Sequence, residues 1–212
     1  MGFAVYLTSA PLMRGSLSLR MHGASASVRG ADMQAHMRDA VHADVFRLGP
    51  RDWVPNNAHL PVILYRDVFD GDGSGGGERL ADAFEAMFQR NGWPPKWRNG
   101  IFDYHHFHSS AHEVLGIAGG AADVILGGPG GRVVHLEAGD VILLPAGTGH
   151  CLESSSGPLN VIGAYPPGQQ WDIRRDALTG KERAAMETLP FPHSDPVRGA
   201  QGPLIEHWLN EA

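Results

Sequence analysis

The feature that most constrains the fold is a series of short apolar and β-branched segments between Lys96 and Pro166, separated by glycine-containing breaks. The segments cover 97–107, 112–118, 121–127, 132–137, 140–144, 148–153 and 159–165. Breaks such as Gly119-Gly120 and Gly139-Asp140 are typical of tight turns between antiparallel strands. Many short strands at this spacing predict an all-β sandwich or barrel.

Helical periodicity occurs outside this series. Leu80, Phe84, Met87 and Phe88 recur at the spacing of one apolar helix face, and Asn91-Gly92 ends the pattern, which predicts a helix at about 78–91. Lys181 to Thr188 predicts a second, short helix. Strand candidates also lie at Val45 to Leu48 and Pro61 to Tyr65, and the glycine-rich Asp70 to Gly77 is a linker or loop. We therefore divide the chain into three parts: an N-terminal extension (1–42), a barrel with the inserted helix (43–170), and a C-terminal extension that packs on the barrel (171–212).

The first part differs in composition from the rest. Its stretch from Gly15 to Met37 is rich in Ser, Ala, Gly, Met and Arg without a sustained period, which predicts a poorly ordered extension or translation from a start upstream of a functional Met33 or Met37. A secretory signal is the alternative, since Ala24-Ser25-Ala26 is similar to a cleavage site. Arg14 and Arg20 interrupt the apolar stretch that such a signal requires, so this alternative is the weaker one.

Composition excludes several classes of protein. A single cysteine, Cys151, rules out an internal disulfide and favours a reducing, cytoplasmic location. Apolar runs stay short of the ~18 residues that a membrane helix needs. A net charge of −6 argues against nucleic-acid binding.

Histidine is unusually concentrated. The chain has 12 histidines, and four of them fall between positions 105 and 112. Alternation along a strand puts His106 and His108 on one side, together with Phe102 and Tyr104, and puts His105 on the other. Imidazoles two residues apart can reach one metal ion, although a solvated strand edge gives the same pattern.

Two more residues are candidate ligands of that ion. Glu113 joins the histidines if its side of the next strand, shared with Leu115, faces inward; His112 then points away. His150 is the best fourth candidate, because the preceding Pro145-Ala-Gly-Thr-Gly149 predicts a turn back to the same cavity. Neutral imidazoles plus one carboxylate suit Fe(II), Mn, Ni, Cu or Zn and discriminate poorly among them.

These residues fit two spaced patterns. Gly100, His106, His108, Glu113 and Gly120 match G-x5-H-x-H-x3/4-E-x6-G, and Gly139, Pro145, Gly147 and His150 match G-x5-P-x-G-x2-H-x3-N, with Ser154 in place of the final Asn. The chain thereby resembles the cupin superfamily. The wider run Trp97 to His108, His112-Glu-Val-Leu-Gly116 and Gly163-Ala-Tyr-Pro166 resembles a small bacterial group of single-domain cupins labelled YjlB-like.

The resemblance implies a cupin double-stranded β-helix, a jelly-roll barrel with one or two peripheral helices. It also implies one divalent transition-metal ion (Fe, Mn, Ni or Zn) bound by His106, His108, Glu113 and His150, and a homodimer. Glu113 is a ligand throughout or detaches to act as a catalytic base.

The function stays open between two classes. A metal-dependent enzyme on a small molecule, of the oxygenase or the isomerase and lyase type, is the first; a non-catalytic cupin that binds or senses a small ligand is the alternative. Phe102 and Tyr104 line the substrate pocket or pack in the barrel core, and core packing is favoured for both. Arg98 holds a substrate carboxylate or lies on the surface. Trp171 and Trp208 are assigned to packing of the tail or to dimer contacts.

Overall fold

A computed structural model describes residues 35–69 and 77–209 of the protein. Residues 1–34 of the predicted extension and residues 70–76 of the predicted linker lie outside the described residues. The elements are β1 (His42–Phe46), β2 (Val62–Arg66), α1 (Gly77–Arg90), β3 (Pro95–Asn99), β4 (Glu113–Leu126), β5 (Arg132–Glu137), β6 (Val141–Leu144), β7 (His150–Ala164), α2 (Gly180–Glu187) and a π-helical turn (Ile205–Leu209). The prediction of a mainly β protein with peripheral helices is confirmed.

The strands form an antiparallel jelly-roll sheet in the order β1-β2-β6-β4-β7-β3, with β5 also paired to β4. Strand β4 pairs with three other strands, β5, β6 and β7. Its first residues, Glu113 to Gly116, pair with β6, and its last residues, Ala121 to Leu126, pair with β5. Its other edge pairs with β7 along nearly its whole length. The start of β4 is therefore fixed by neighbours on both sides.

Two predicted chain breaks are wrong. Gly119-Gly120 lies inside β4, and 154–158 lies inside β7, so four predicted strands merge into two. The pairing between β4 and β7 shifts register at Gly119 and again before Ala121, and Gly120 has a φ of +69°. The glycines thus serve a β-bulge that bends a continuous strand, where the sequence predicted a turn.

Both faces are buried where β2, β6 and the first half of β4 lie side by side. On the inner face, alternate residues of β2, β4 and β6 such as Leu64, Leu115 and Ile142 form one apolar cluster. The outer face is covered by the apolar side of α1 and by Trp208. A Cβ at Gly116 would lie 2.9 Å from the Phe84 ring, so this glycine lets α1 pack directly on β4. This close packing fixes the outer side of the strand that begins at Glu113.

Leu204 and Trp208, near the end of the described chain, are buried in the apolar cluster of the outer face. Trp208 is fully buried, and its indole N–H donates to the Pro61 carbonyl (3.0 Å). The Asp195 carboxylate accepts from the Tyr65 hydroxyl (2.6 Å) and from the Leu204 N–H (3.0 Å). Among the described residues, every helix is too short or too polar to cross a membrane.

Candidate metal centre

A two-residue bridge brings the two histidine patterns together. The His106 N–H donates to the His150 carbonyl (3.2 Å), and the His150 N–H donates to the His106 carbonyl (2.9 Å). Residues that face each other in such an antiparallel pair carry their side chains on the same side. The two imidazole centroids lie 4.0 Å apart. His150 follows the turn that the sequence predicted would return it to this cavity.

That turn is held from three directions. The Gly147 N–H donates to the His108 carbonyl (2.8 Å). Gly147 has a φ of +91°, and a Cβ there would lie 2.8 Å from the Met186 sulfur of α2 and 3.0 Å from the Asn56 carbonyl oxygen. Only glycine fits this backbone and this space. The turn therefore locks His150 and His108 relative to each other.

Three histidines and one glutamate converge. One ring nitrogen of each of His106, His108 and His150 lies within 4.8 Å of the others. Glu113, at the start of β4 and on the inner face, has Oε1 3.3 Å from His108 Nε2 and Oε2 3.4 Å from His150 Nε2. All four side chains are buried. These are the four residues that the sequence named as candidate ligands.

Backbone carbonyls orient the three rings. Nδ1 of His106 lies 3.0 Å from the Tyr104 carbonyl, Nδ1 of His150 lies 3.1 Å from the Thr148 carbonyl, and Nδ1 of His108 contacts the Asp172 carbonyl. A carbonyl only accepts, so each Nδ1 carries the hydrogen and each Nε2 of a neutral ring presents its lone pair. This is the arrangement in which histidines bind metals.

The glutamate leaves one oxygen for a further partner. The Tyr165 hydroxyl donates to Glu113 Oε1 (2.6 Å) and accepts from the Trp97 indole N–H (2.9 Å). Oε2 of Glu113 is buried without a hydrogen bond to any described residue. An unsatisfied buried carboxylate oxygen next to imidazole nitrogens fits a missing cation. The residues present thus fit a divalent metal ion.

The charges of the site are coupled. Burial lowers the pKa of His106 and lowers that of His150 to about 3. Burial also acts against a charge on His108, but the adjacent Glu113 carboxylate outweighs it and raises the His108 pKa. Against its own burial, Glu113 has its pKa lowered to about 2 by His108. These shifts favour an ion pair between His108 and Glu113 beside two neutral imidazoles.

A cavity of about 190 Å³ opens onto the four residues. Its walls are mainly apolar and aromatic: Trp97, Ile101, Phe102, Leu115, Tyr165 and Trp171. Phe102 and Trp171 are 43% and 44% exposed, and so stand at the opening. Core packing, favoured for Phe102 from the sequence, is thus not its role. Tyr104 stacks on Phe102 with centroids 4.8 Å apart and is outside the set of lining residues.

The structure does not bring Arg98 to this cavity. Its guanidinium donates to Glu85 (2.6 Å) and Asp82 (2.5 Å) of α1, and a third acid of that helix, Glu78, lies 3.0 Å away. The sequence predicts one strand over 97–107, but β3 ends at Asn99 and the alternation does not carry across Gly100. Within β3, Trp97 lines the cavity and Arg98 faces α1. The interpretation of Arg98 as a surface residue is the one that the structure supports.

His112, the residue before Glu113, has partners away from the cavity. His112 lies on the outer face, where its Nδ1 accepts from the Ala146 N–H (3.0 Å) and its ring lies 4.9 Å from that of Trp208. Burial lowers its pKa to about 4. His112 thus steadies the turn before His150 from behind.

Several residues of the site were missed by sequence reasoning. Trp97, Tyr165, Trp171 and Asp172 all contact a candidate ligand or line the cavity, yet they belong to neither spaced pattern. Tyr165 does fall in the Gly163-Ala-Tyr-Pro166 run that carried part of the resemblance. Trp97 likewise begins the run Trp97 to His108 of the same resemblance, and neither run indicated a contact with a candidate ligand.

The amino-acid sequence has a relative among known proteins that shows which family the chain belongs to. Among protein-family models, none matches the chain. The chain is 34% identical over 158 residues to the "Uncharacterized protein YjlB" of Bacillus subtilis (strain 168), and the alignment covers 74% of this chain and 90% of that protein. The chain belongs to the family of YjlB.

Two solved structures also align with this YjlB-like protein. RmlC from Streptococcus suis, in complex with dTDP-D-xylose, aligns at 13% identity and a TM-score of 0.30 over 76% of this chain and 97% of that chain. HEPD from Streptomyces albus, with 2-hydroxyethylphosphonate and Fe(II) bound, aligns at 14% identity and a TM-score of 0.24 over 75% of this chain and 32% of that chain. At these TM-scores neither structure informs the chemistry of this site.

Proposed function

We propose that this YjlB-like cupin binds one divalent transition-metal ion and is a metal-dependent enzyme on a small molecule. His106, His108 and His150 would hold the ion through Nε2, and Glu113 would be the fourth ligand. The observation that supports this most is the unsatisfied Oε2 of Glu113, buried 3.4 Å from His150 Nε2. Three imidazoles and one carboxylate suit Fe, Mn, Ni or Zn.

A metal ion in such a site supplies Lewis acidity or, as iron(II), one-electron chemistry with dioxygen. The chain's own groups supply orientation and proton handling. The Tyr165 hydroxyl holds Oε1 of Glu113 in place, which leaves Oε2 as the atom that can take a proton. Because the buried histidines give their Nδ1 hydrogens to carbonyls, they keep fixed ring orientations when a ligand enters. Glu113 is therefore proposed either to stay a ligand throughout or to detach from the ion and act as the catalytic base through Oε2.

The cavity walls next to this base are apolar. Leu115, Ile101 and Trp97 surround it with apolar surface. A site of this kind strengthens electrostatic interactions with a bound substrate. The proposed substrate is a small molecule, and the proposed setting is cytoplasmic, as the cysteine content predicts.

Metal analysis of untagged protein tests the proposal. We expect close to one transition-metal ion per chain, and we expect His106→Ala and His150→Ala each to lose it while the β-sheet circular dichroism is retained. His135→Ala is the matched control, because His135 lies on β5, pairs with Asp123 and is exposed. Retention of full metal content by both cavity variants would contradict the ligand assignment.

Turnover separates the two classes of function. Substrate-dependent oxygen uptake, or conversion of a carbonyl compound without oxygen, is expected for the enzyme. Saturable binding of a small ligand with no turnover in the metal-loaded protein would assign the site to ligand binding instead.

A further inference from the structure

The turn before His150 is anchored by two buried side chains from a distant part of the chain. Asn56 and Asn57 lie between β1 and β2 and are only 2% and 8% exposed. They precede the turn residues that they contact by 93 and 89 positions. We infer that this pair positions His150 for the metal ion, a role that rests on the proposed function and adds to it two residues outside both spaced patterns.

The start of the turn is held through both backbone groups of Ala146. Asn57 Nδ2 donates to the Ala146 carbonyl (3.1 Å), and the Ala146 N–H donates to His112 Nδ1 (3.0 Å). Asn57 Oδ1 accepts from the N–H groups of His59 (3.1 Å) and Leu60 (2.8 Å), which fixes the side chain in its own loop. An amide donates at its nitrogen and accepts at its oxygen, so one asparagine ties the loop before β2 to the turn.

The end of the turn is held through Gly149, the residue before His150. Asn56 Oδ1 accepts from the Gly149 N–H (3.1 Å), while Asn56 Nδ2 donates to the carbonyls of Gly49 (2.7 Å) and Gly127 (3.1 Å). The Gly127 N–H donates to the Gly149 carbonyl (2.7 Å), so both backbone groups of Gly149 are bonded. Asn56 has a φ of +48°, a conformation in which asparagine is enriched among residues other than glycine.

The backbone between these two anchors sets the direction of the His150 ring. The Thr148 carbonyl, between Ala146 and Gly149, accepts from His150 Nδ1 (3.1 Å). A shift of the turn therefore moves both the His150 backbone and the carbonyl that orients its ring. Removing groups that hold metal ligands in place lowers metal affinity by about tenfold to hundredfold.

Asn57→Asp tests the pair, because it keeps the acceptor for His59 and Leu60 and replaces only the donor to Ala146. We expect it to lower the zinc affinity about tenfold or more, measured by competition with a chelator. It should also change the visible absorption of the cobalt-substituted protein, which reports the geometry of the ligands. Asn56→Gly keeps a residue that accepts a positive φ and removes the hydrogen bonds of the side chain, so it should have the same two effects.

Asn91→Asp is the matched control. Asn91 Nδ2 also donates to backbone carbonyls, those of Pro196 (2.8 Å) and Val197 (3.0 Å), and none of these three residues lines the cavity. The same exchange of a donor for an acceptor should lower the urea midpoint and leave the zinc affinity and the cobalt spectrum unchanged. If Asn57→Asp gives this result too, Asn57 is only structural and the inference is overturned.

Metal-free protein gives a readout that does not depend on the proposed function. The buried His150 Nδ1–H, bonded to the Thr148 carbonyl, should give a slowly exchanging NMR signal that Asn57→Asp shifts or broadens and Asn91→Asp leaves unchanged. If the wild type binds no zinc, the proposed function fails, and an unchanged signal in Asn57→Asp would overturn the inference as well. If Asn57→Asp does not fold, Asn57→Ser, which removes the same donor without adding a charge, replaces it in each measurement.

Discussion

Replacing Tyr165 with phenylalanine isolates the contribution of one hydroxyl to the candidate metal centre. That hydroxyl donates to Glu113 Oε1 over 2.6 Å and accepts from the Trp97 indole. A hydrogen bond to a charged group contributes about 1.5–3 kcal/mol. If this free energy acts on metal binding, the affinity falls about tenfold to hundredfold, the range found for residues that hold metal ligands in place. The Glu113 pKa should rise, since the charged carboxylate loses a donor.

Tyr65→Phe is a closely matched control. Tyr65 is also buried, and its hydroxyl also donates over 2.6 Å to a carboxylate, that of Asp195, away from the cavity. Both variants should lower the free energy of unfolding by a similar amount, measured by urea denaturation of metal-free protein. Only Tyr165→Phe should weaken metal binding, measured by competition with a chromophoric chelator. Equal metal affinities for Tyr165→Phe and the wild type, or an equal loss in Tyr65→Phe, would refute the reasoning.

Three further predictions concern pH, packing and assembly. The free energy of unfolding of metal-free protein should fall from pH 7 to pH 5. Burial lowers the pKa of His112 to about 4 and that of His150 to about 3, so over this range the unfolded chain binds protons that the folded chain does not. The raised pKa of His108 offsets part of this loss, and a urea midpoint that stays constant or rises on acidification would contradict the prediction. Gly163→Ala should lower the free energy of unfolding by about 1–3 kcal/mol, since the added Cβ would lie 2.0 Å from the Trp97 indole. Gly100→Ala, where the added Cβ meets open space, should leave the thermal unfolding close to that of the wild type. The family resemblance predicts a homodimer, so light scattering should give the mass of two chains. The mass of one chain would contradict this prediction.

The sequence predicted the local elements of the fold well where one periodicity dominated. The apolar face of Leu80, Phe84 and Phe88 gave α1 within a few residues, and the predicted strand 132–137 matches β5. The predicted breaks between strands were wrong where glycine can have either of two physical roles. Glycine permits a reversal of the chain and also a bulge in a continuous strand, and sequence alone does not separate the two at Gly119-Gly120.

The candidate ligands were predictable, and their surroundings were not. His106, His108, Glu113 and His150 follow fixed spacings because each lies at a set distance from a turn in the same barrel. Trp171 and Asp172 come from the chain after the last strand, where no regular period links them to the barrel. Arg98 was considered for the cavity because alternation was extended across Gly100, beyond the end of β3.

Residues 172–174, which follow the last strand, are synthesised after the candidate ligands that they help to position. The backbone of Arg174 pairs with that of Phe107, and the Asp172 carboxylate accepts from the N–H and hydroxyl of Ser109, so this stretch closes the loop after His108. A ribosome that has released only the chain up to Ala164 has already supplied all four candidate ligands. It has not yet supplied Asp172, whose carbonyl orients the His108 ring, so the candidate site is complete only when the final fifth of the polypeptide has been made.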